Sequence, residues 1–140
     1  MSRFVVDASV AVKWFLPEVH SDAALRLLGG DHDLLVPDLL LAEVGNVLWK
    51  RVRRREATRE EAGATLEALL SLPLQVHSSR TLMPLALDIA HHTQRSVYDS
   101  LYVAVCLLRE CPIVTADRRL HDALKKSLLA RHVLWVEDVE

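Results

Sequence analysis

Acidic residues occupy four positions where the chain is otherwise apolar. Asp7 directly follows Phe4-Val5-Val6, and Asp117 follows Ile113-Val114-Thr115-Ala116. Glu43 is the only charge between positions 39 and 48, and Asp99 precedes the apolar run 101–108. A carboxylate taken out of water without a partner either costs several kcal/mol or takes up a proton. Each acid has a local use. Asp7 and Asp117 can cap the helices that follow them, Asp99 can be the capping-box partner of Ser96, and Glu43 can pair with a basic side chain. Together they suggest more. Oxygen-only ligands select hard divalent cations, Mg²⁺ with Mn²⁺ as the alternative, and no His lies in these motifs to favour zinc. Such an ion activates water and clamps the attacking and leaving oxygens of a phosphodiester.

The acids must be positioned by elements far apart in sequence. Residues 4–6, 34–36, 74–76, 113–115 and 133–136 read as strands, mostly apolar on both faces, as parallel strands covered on each side should be. Helical patterns lie between them, at 10–15, 21–28, 39–54, 59–70, 82–91, 97–109 and 118–128. The alternation predicts an α/β sandwich around a parallel sheet. Thr58 with Glu61, and Ser96 with Asp99, predict capping boxes. Pro37 closes a strand, Gly29-Gly30 end a helix, and the run 101–108 predicts a helix buried on every side. Asp7 and Asp117 then sit at the carboxyl ends of strands, where open α/β sheets place their working crevice.

Composition narrows the class. The chain has 140 residues, 51% of them hydrophobic, enough for one domain with a sizeable core over 1–140 and for apolar surface buried against a partner. Seventeen Lys and Arg against nineteen Asp and Glu give a net charge of −2, not the balance of a protein that binds nucleic acid by bulk charge. Cys106 and Cys111 make neither a disulfide framework nor a zinc set, which suits two reduced thiols in a reducing compartment. The N-terminus does not read as a signal peptide, and no window reads as a membrane span. A soluble, cytoplasmic protein is expected.

The motifs also resemble a known family. Val5-Val6-Asp7-Ala8-Ser9 resembles the opening motif of PIN-domain nucleases. So do Pro37-x5-Glu43-x2-Asn46, Tyr98-Asp99-x2-Tyr102-x-Ala104 and Val114-Thr115-x-Asp117-x2-Leu120. Order and spacing match from residue 3 to about 136, and the chain looks most like the VapC toxins of toxin–antitoxin pairs. The resemblance implies a metal-dependent endoribonuclease on a three-layer α/β/α sandwich with a five-stranded parallel sheet. It implies Asp7 and Asp99 as direct metal ligands, with Glu43 and Asp117 completing the cage. Ser9 and Thr115 match supporting hydroxyls, and Asn46 lies one turn beyond Glu43. A VapB-type antitoxin and a homodimer are the implied partners. Competing readings are a PIN nuclease of RNA processing without antitoxin, a phosphotransfer domain using Asp7 as nucleophile, and a catalytically silent binding module. Haloacid-dehalogenase-like enzymes want a second Asp where Ser9 stands.

An RNA substrate needs cations. Without the four acids, the net charge of −2 becomes +2, and Lys50, Arg51, Arg53, Arg54 and Arg55 crowd one helix end. Lys50 and Arg54 return to within ~20° of Glu43, roughly 10 and 16 Å along the axis. They are the candidate contacts to the RNA backbone, against a plain solvated helix terminus. Trp14-Phe15 and Trp49 are expected in the core, with the resemblance offering an antitoxin groove instead. Asp122 is expected as a solvated helix residue, and the His91-His92 pair gets no role.

Overall fold

The computed structural model describes residues 2–139. Five strands, β1 (Ser2–Val6), β2 (His32–Pro37), β3 (Gln75–His77), β4 (Ile113–Thr115) and β5 (Val133–Trp135), form one parallel sheet in the order β3-β2-β1-β4-β5. The short β-branched and leucine runs do this because both their faces are covered. Val5, Val6, Leu35, Val36, Ile113 and Val114 are fully buried.

Seven helices connect them. Helices α1 (Ala8–Phe15) and α2 (Ser21–Gly29) join β1 to β2, and α3 (Leu39–Arg53) and α4 (Arg59–Leu70) join β2 to β3. Helices α5 (Ser79–Thr93) and α6 (Val97–Arg109) carry the chain to β4, and α7 (Arg118–Lys125) leads to β5. The first two crossovers step one way along the sheet and the last two step the other way. Right-handed connections therefore put α1–α4 on one face and α5–α7 on the opposite face. This is the three-layer α/β/α sandwich expected. Its switch point lies between β1 and β4.

The local signals mostly act as expected. Thr58 and Glu61 form both halves of a capping box at α4, at 3.1 and 2.9 Å. Several expectations need correction. Helix α5 starts at Ser79 rather than 82, capped by Ser78, and runs through Pro84. Packing decides this, since Leu82, Ala86 and Ile89 are buried on it. Helix α7 stops at Lys125, leaving Leu128 wholly exposed rather than helical. Helix α6 is buried from Ser100 to Cys106, but Leu108 is 52% exposed, so the run is not buried throughout. Trp14 is in the core, its Nε1 donating to the Ala24 carbonyl, but Trp49 is 54% exposed beneath the Arg53 guanidinium. Cys106 and Cys111 are free and buried. Among the described residues no helix is long and apolar enough to cross a membrane.

Candidate active site

Strands end where their side chains stop being covered, and here two strand ends deliver acids to the switch point. Asp7 is the N-cap of α1, its Oδ1 accepting from the Val10 amide at 3.2 Å and the Ser9 hydroxyl at 2.5 Å. Its Oδ2 accepts from the Thr115 hydroxyl at the end of β4. Thr115 in turn accepts from the Asp117 amide at 3.0 Å, and the Ser9 hydroxyl accepts from the Ala116 amide at 3.0 Å. Ser9 and Thr115 thus tie the ends of β1 and β4 together around Asp7. Asp117 caps α7, with Oδ1 accepting from the Arg119 and Leu120 amides.

Two helices bring the other acids to the same edge. Helix α6 runs antiparallel to the strands, so its first turn lies at their carboxyl ends and carries Asp99 there. Helix α3 leaves the carboxyl end of β2 and carries Glu43 one turn in. The link between them is Tyr102, whose hydroxyl donates to Glu43 Oε1 at 2.5 Å. Tyr102 is 3% exposed, and the charges of Glu43, Asp7 and Asp99 all raise its pKa after burial and the Glu43 bond. Tyr102 falls within the motif Tyr98-Asp99-x2-Tyr102, but spacing alone does not join its hydroxyl to Glu43. A buried hydroxyl one helical turn from Asp99 is the signal that could have found it.

The electrostatics record the crowding. Burial pushes Asp7 up to about 6, against the opposing pull of Ser9, Thr115 and Val10, and Asp117 adds repulsion. Burial raises Glu43 as well, with Tyr102 pulling it back and Asp99 pushing it further. No three acids among the described residues lie close enough to form a ready cage. Local donors nevertheless engage only one oxygen on each of Glu43, Asp99 and Asp117. Glu43 Oε2, Asp99 Oδ1 and Asp117 Oδ2 have no hydrogen-bond partner among the described residues. A repelling set of carboxylates with open oxygens and no soft ligand fits a hard cation.

One expectation changes here. Ser96 Oγ does accept from the Asp99 amide at 3.1 Å, but the return half of the capping box is missing. The Asp99 carboxylate turns instead to Arg95, whose Nε and Nη2 donate to Oδ2 at 3.1 and 2.8 Å. Arg95 was not singled out in the sequence, although its spacing of four from Asp99 allows the pair. A cleft of about 380 Å³ beside the acids is lined by Ser9, Lys13, Glu43 and Asn46. Asn46 therefore shares the site's wall with Glu43. Lys13 lines it too, paired with Glu18 at 3.1 Å. Lys50, farther along α3, and Arg54, its C-cap, are exposed and beyond the cleft's lining. Asp122 is exposed, accepting from His121, as expected of a solvated helix residue.

The PIN domain sequence profile matches residues 4–126. The chain belongs to the PIN-domain family. This PIN domain is 35% identical over 120 residues to Ribonuclease VapC3 of Pyrobaculum aerophilum, covering 84% of this chain and 92% of that protein. It is 33% identical to Ribonuclease VapC1 of Mycobacterium tuberculosis, over 86% of this chain and 90% of that one. The crystal structure of PAE2754 from Pyrobaculum aerophilum superposes with a TM-score of 0.70 at 26% identity, over 97% and 92% of the two chains. VapBC2 from Rickettsia felis, bound to a DNA fragment from its promoter, superposes at 0.64 over 95% and 98%; at 12% identity it speaks to the fold alone. These likenesses place this PIN domain with VapC-type ribonucleases.

Proposed function

We propose that this PIN domain is a divalent-metal-dependent endoribonuclease, the VapC-type toxin of a toxin–antitoxin pair. The observation that carries the reading is the set of four acids at the switch point, three of which keep an open carboxylate oxygen. The resemblance to proteins named Ribonuclease VapC supplies the substrate class.

Asp7, Glu43, Asp99 and Asp117 would hold Mg²⁺ or Mn²⁺. When bound, the ion lowers the pKa of water and neutralises charge on the transferred phosphoryl group. The chain's own residues prepare the rest. Ser9 and Thr115 fix the Asp7 carboxylate so that it does not reorganise on loading. Tyr102 holds one Glu43 oxygen and leaves the other to accept a proton or orient a water. Asn46 and Lys13 line the cleft where the RNA backbone would lie. Lys50 on α3 and Arg54 at its C-cap, both exposed, extend a basic track for phosphates upstream or downstream of the cleaved bond. Exposed Trp49 on α3, with Leu66 and Leu70 on α4, offers apolar surface for a VapB-type antitoxin, and a homodimer would cover more of the exposed apolar side chains.

The purified protein with Mg²⁺ or Mn²⁺ should cleave RNA internally, and EDTA should stop it. Asp99→Asn should abolish cleavage while leaving the fold intact by circular dichroism. Full activity in Asp99→Asn would return Asp99 to a capping role and overturn the site.

A further inference from the structure

The only cation hydrogen-bonded to any of the four acids, among the described residues, belongs to the protein itself. Arg95 sits in the three-residue link between α5 and α6, where Gln94 turns the chain through the left-handed region. Its position just before the N-cap Ser96 is a poor one for a cation, since the amino end of a helix carries partial positive charge. The guanidinium stays there by clasping Asp99, and in doing so it takes the carboxylate that the capping box would have used. Both nitrogens fall on one oxygen, so this is not the two-oxygen fork of a tight arginine–carboxylate pair. Both side chains are about 30% exposed, and a pair in that setting is worth little and opens easily.

We propose that Arg95 is the site's built-in counter-ion and a substrate-positioning residue. In the free protein it neutralises Asp99; when a divalent ion claims Asp99, the guanidinium is released beside it to grip a non-bridging phosphate oxygen of the RNA. This rests on the ribonuclease reading above for its substrate class. An arginine suits both states, because carboxylate and phosphate offer similar paired oxygens. Metal and RNA then favour each other's binding, since each removes a competitor or frees a ligand for the other.

The test separates the two halves. Isothermal titration of the metal-free protein with Mn²⁺ alone should show Arg95→Gln binding roughly two- to five-fold tighter than wild type, the competition expected of an exposed pair. A cleavage-resistant phosphorothioate RNA oligomer should bind Arg95→Gln more weakly with Mn²⁺ present. Its log–log salt slope should be shallower by about 0.7, the loss of one phosphate contact. Arg95→Lys, which keeps charge without the planar fork, should fall between the two and guards against a folding defect in Arg95→Gln. Unchanged or weaker Mn²⁺ binding in Arg95→Gln would overturn the counter-ion role. Tighter Mn²⁺ binding with an unaltered RNA slope would overturn the phosphate role. A wild-type protein that shows both effects but never cleaves RNA would instead overturn the ribonuclease reading.

Discussion

Replacing Asp7 with Asn should change how stability depends on pH, and in the direction opposite to a normal carboxylate. Asp7 is 5% exposed, and its pKa rises from 3.8 to about 6 on folding. The folded state therefore binds the proton more tightly than the unfolded chain. The stability this provides is fully present below pH 3.8 and is lost as pH rises through about 6. The gap between the two values corresponds to ~3 kcal/mol withheld from the metal-free wild type above pH 7. Asn removes that penalty but has one acceptor where three donors now point, from Ser9, Val10 and Thr115. Losing one such bond costs about 1 kcal/mol. Asp7→Asn should thus be roughly 1–2 kcal/mol more stable than wild type at pH 8 in EDTA, and about 1 kcal/mol less stable at pH 3.5. Thermal melts across pH 3.5–8 read this directly, at about 3 °C per kcal/mol for a chain of this length. Adding Mg²⁺ at pH 8 should raise the wild-type melting temperature and leave the variant where it was. Parallel curves for the two proteins across pH would refute a charge buried at Asp7.

Tyr102→Phe removes the hydroxyl on Glu43, so the Glu43 pKa should climb further. Mn²⁺ affinity measured between pH 5 and 8 should then fall most steeply at the acid end. Reversing Lys50 and Arg54 to Glu should weaken RNA oligomer binding and flatten its salt dependence while Mn²⁺ affinity holds; an unchanged slope would assign them to solubility or to the antitoxin. Thr58→Ala breaks the capping box of α4 and should cost about 1 kcal/mol in urea unfolding with no effect on Mn²⁺ binding.

The positions of the four candidate acids were legible because they are tied to local pattern. Asp7 and Asp117 follow short apolar runs, and a run buried on both faces ends where the sheet's crevice begins. Glu43 and Asp99 were visible as charges in helices that otherwise had no use for one. The helix caps of Asp7 and Asp117 were legible too, but the partners that the Glu43 and Asp99 carboxylates take were not. Asp99 has a Ser three residues before it and an Arg four before it, and both pairings satisfy helix spacing. The structure chose the Ser96 hydroxyl for the amide and Arg95 for the carboxylate. Trp49 looked like core because aromatic side chains usually are, yet α3 turns that position outward.

The residue order by itself determined which segments become strands and helices, where most of them stop, and that Asp7 and Asp117 follow the carboxyl ends of two strands. Periodicity and capping act over a few residues, so they can be read one segment at a time. Only the tertiary structure decided which oxygen each acid spends on a local donor and which it leaves open. It also decided that Tyr102 joins Glu43 across 59 positions and that Thr115 reaches Asp7 across 108. Those contacts depend on how two helices and two strand ends meet in space, to within a fraction of an ångström, and a hydrogen bond made or missed at that scale leaves no trace in the spacing of letters.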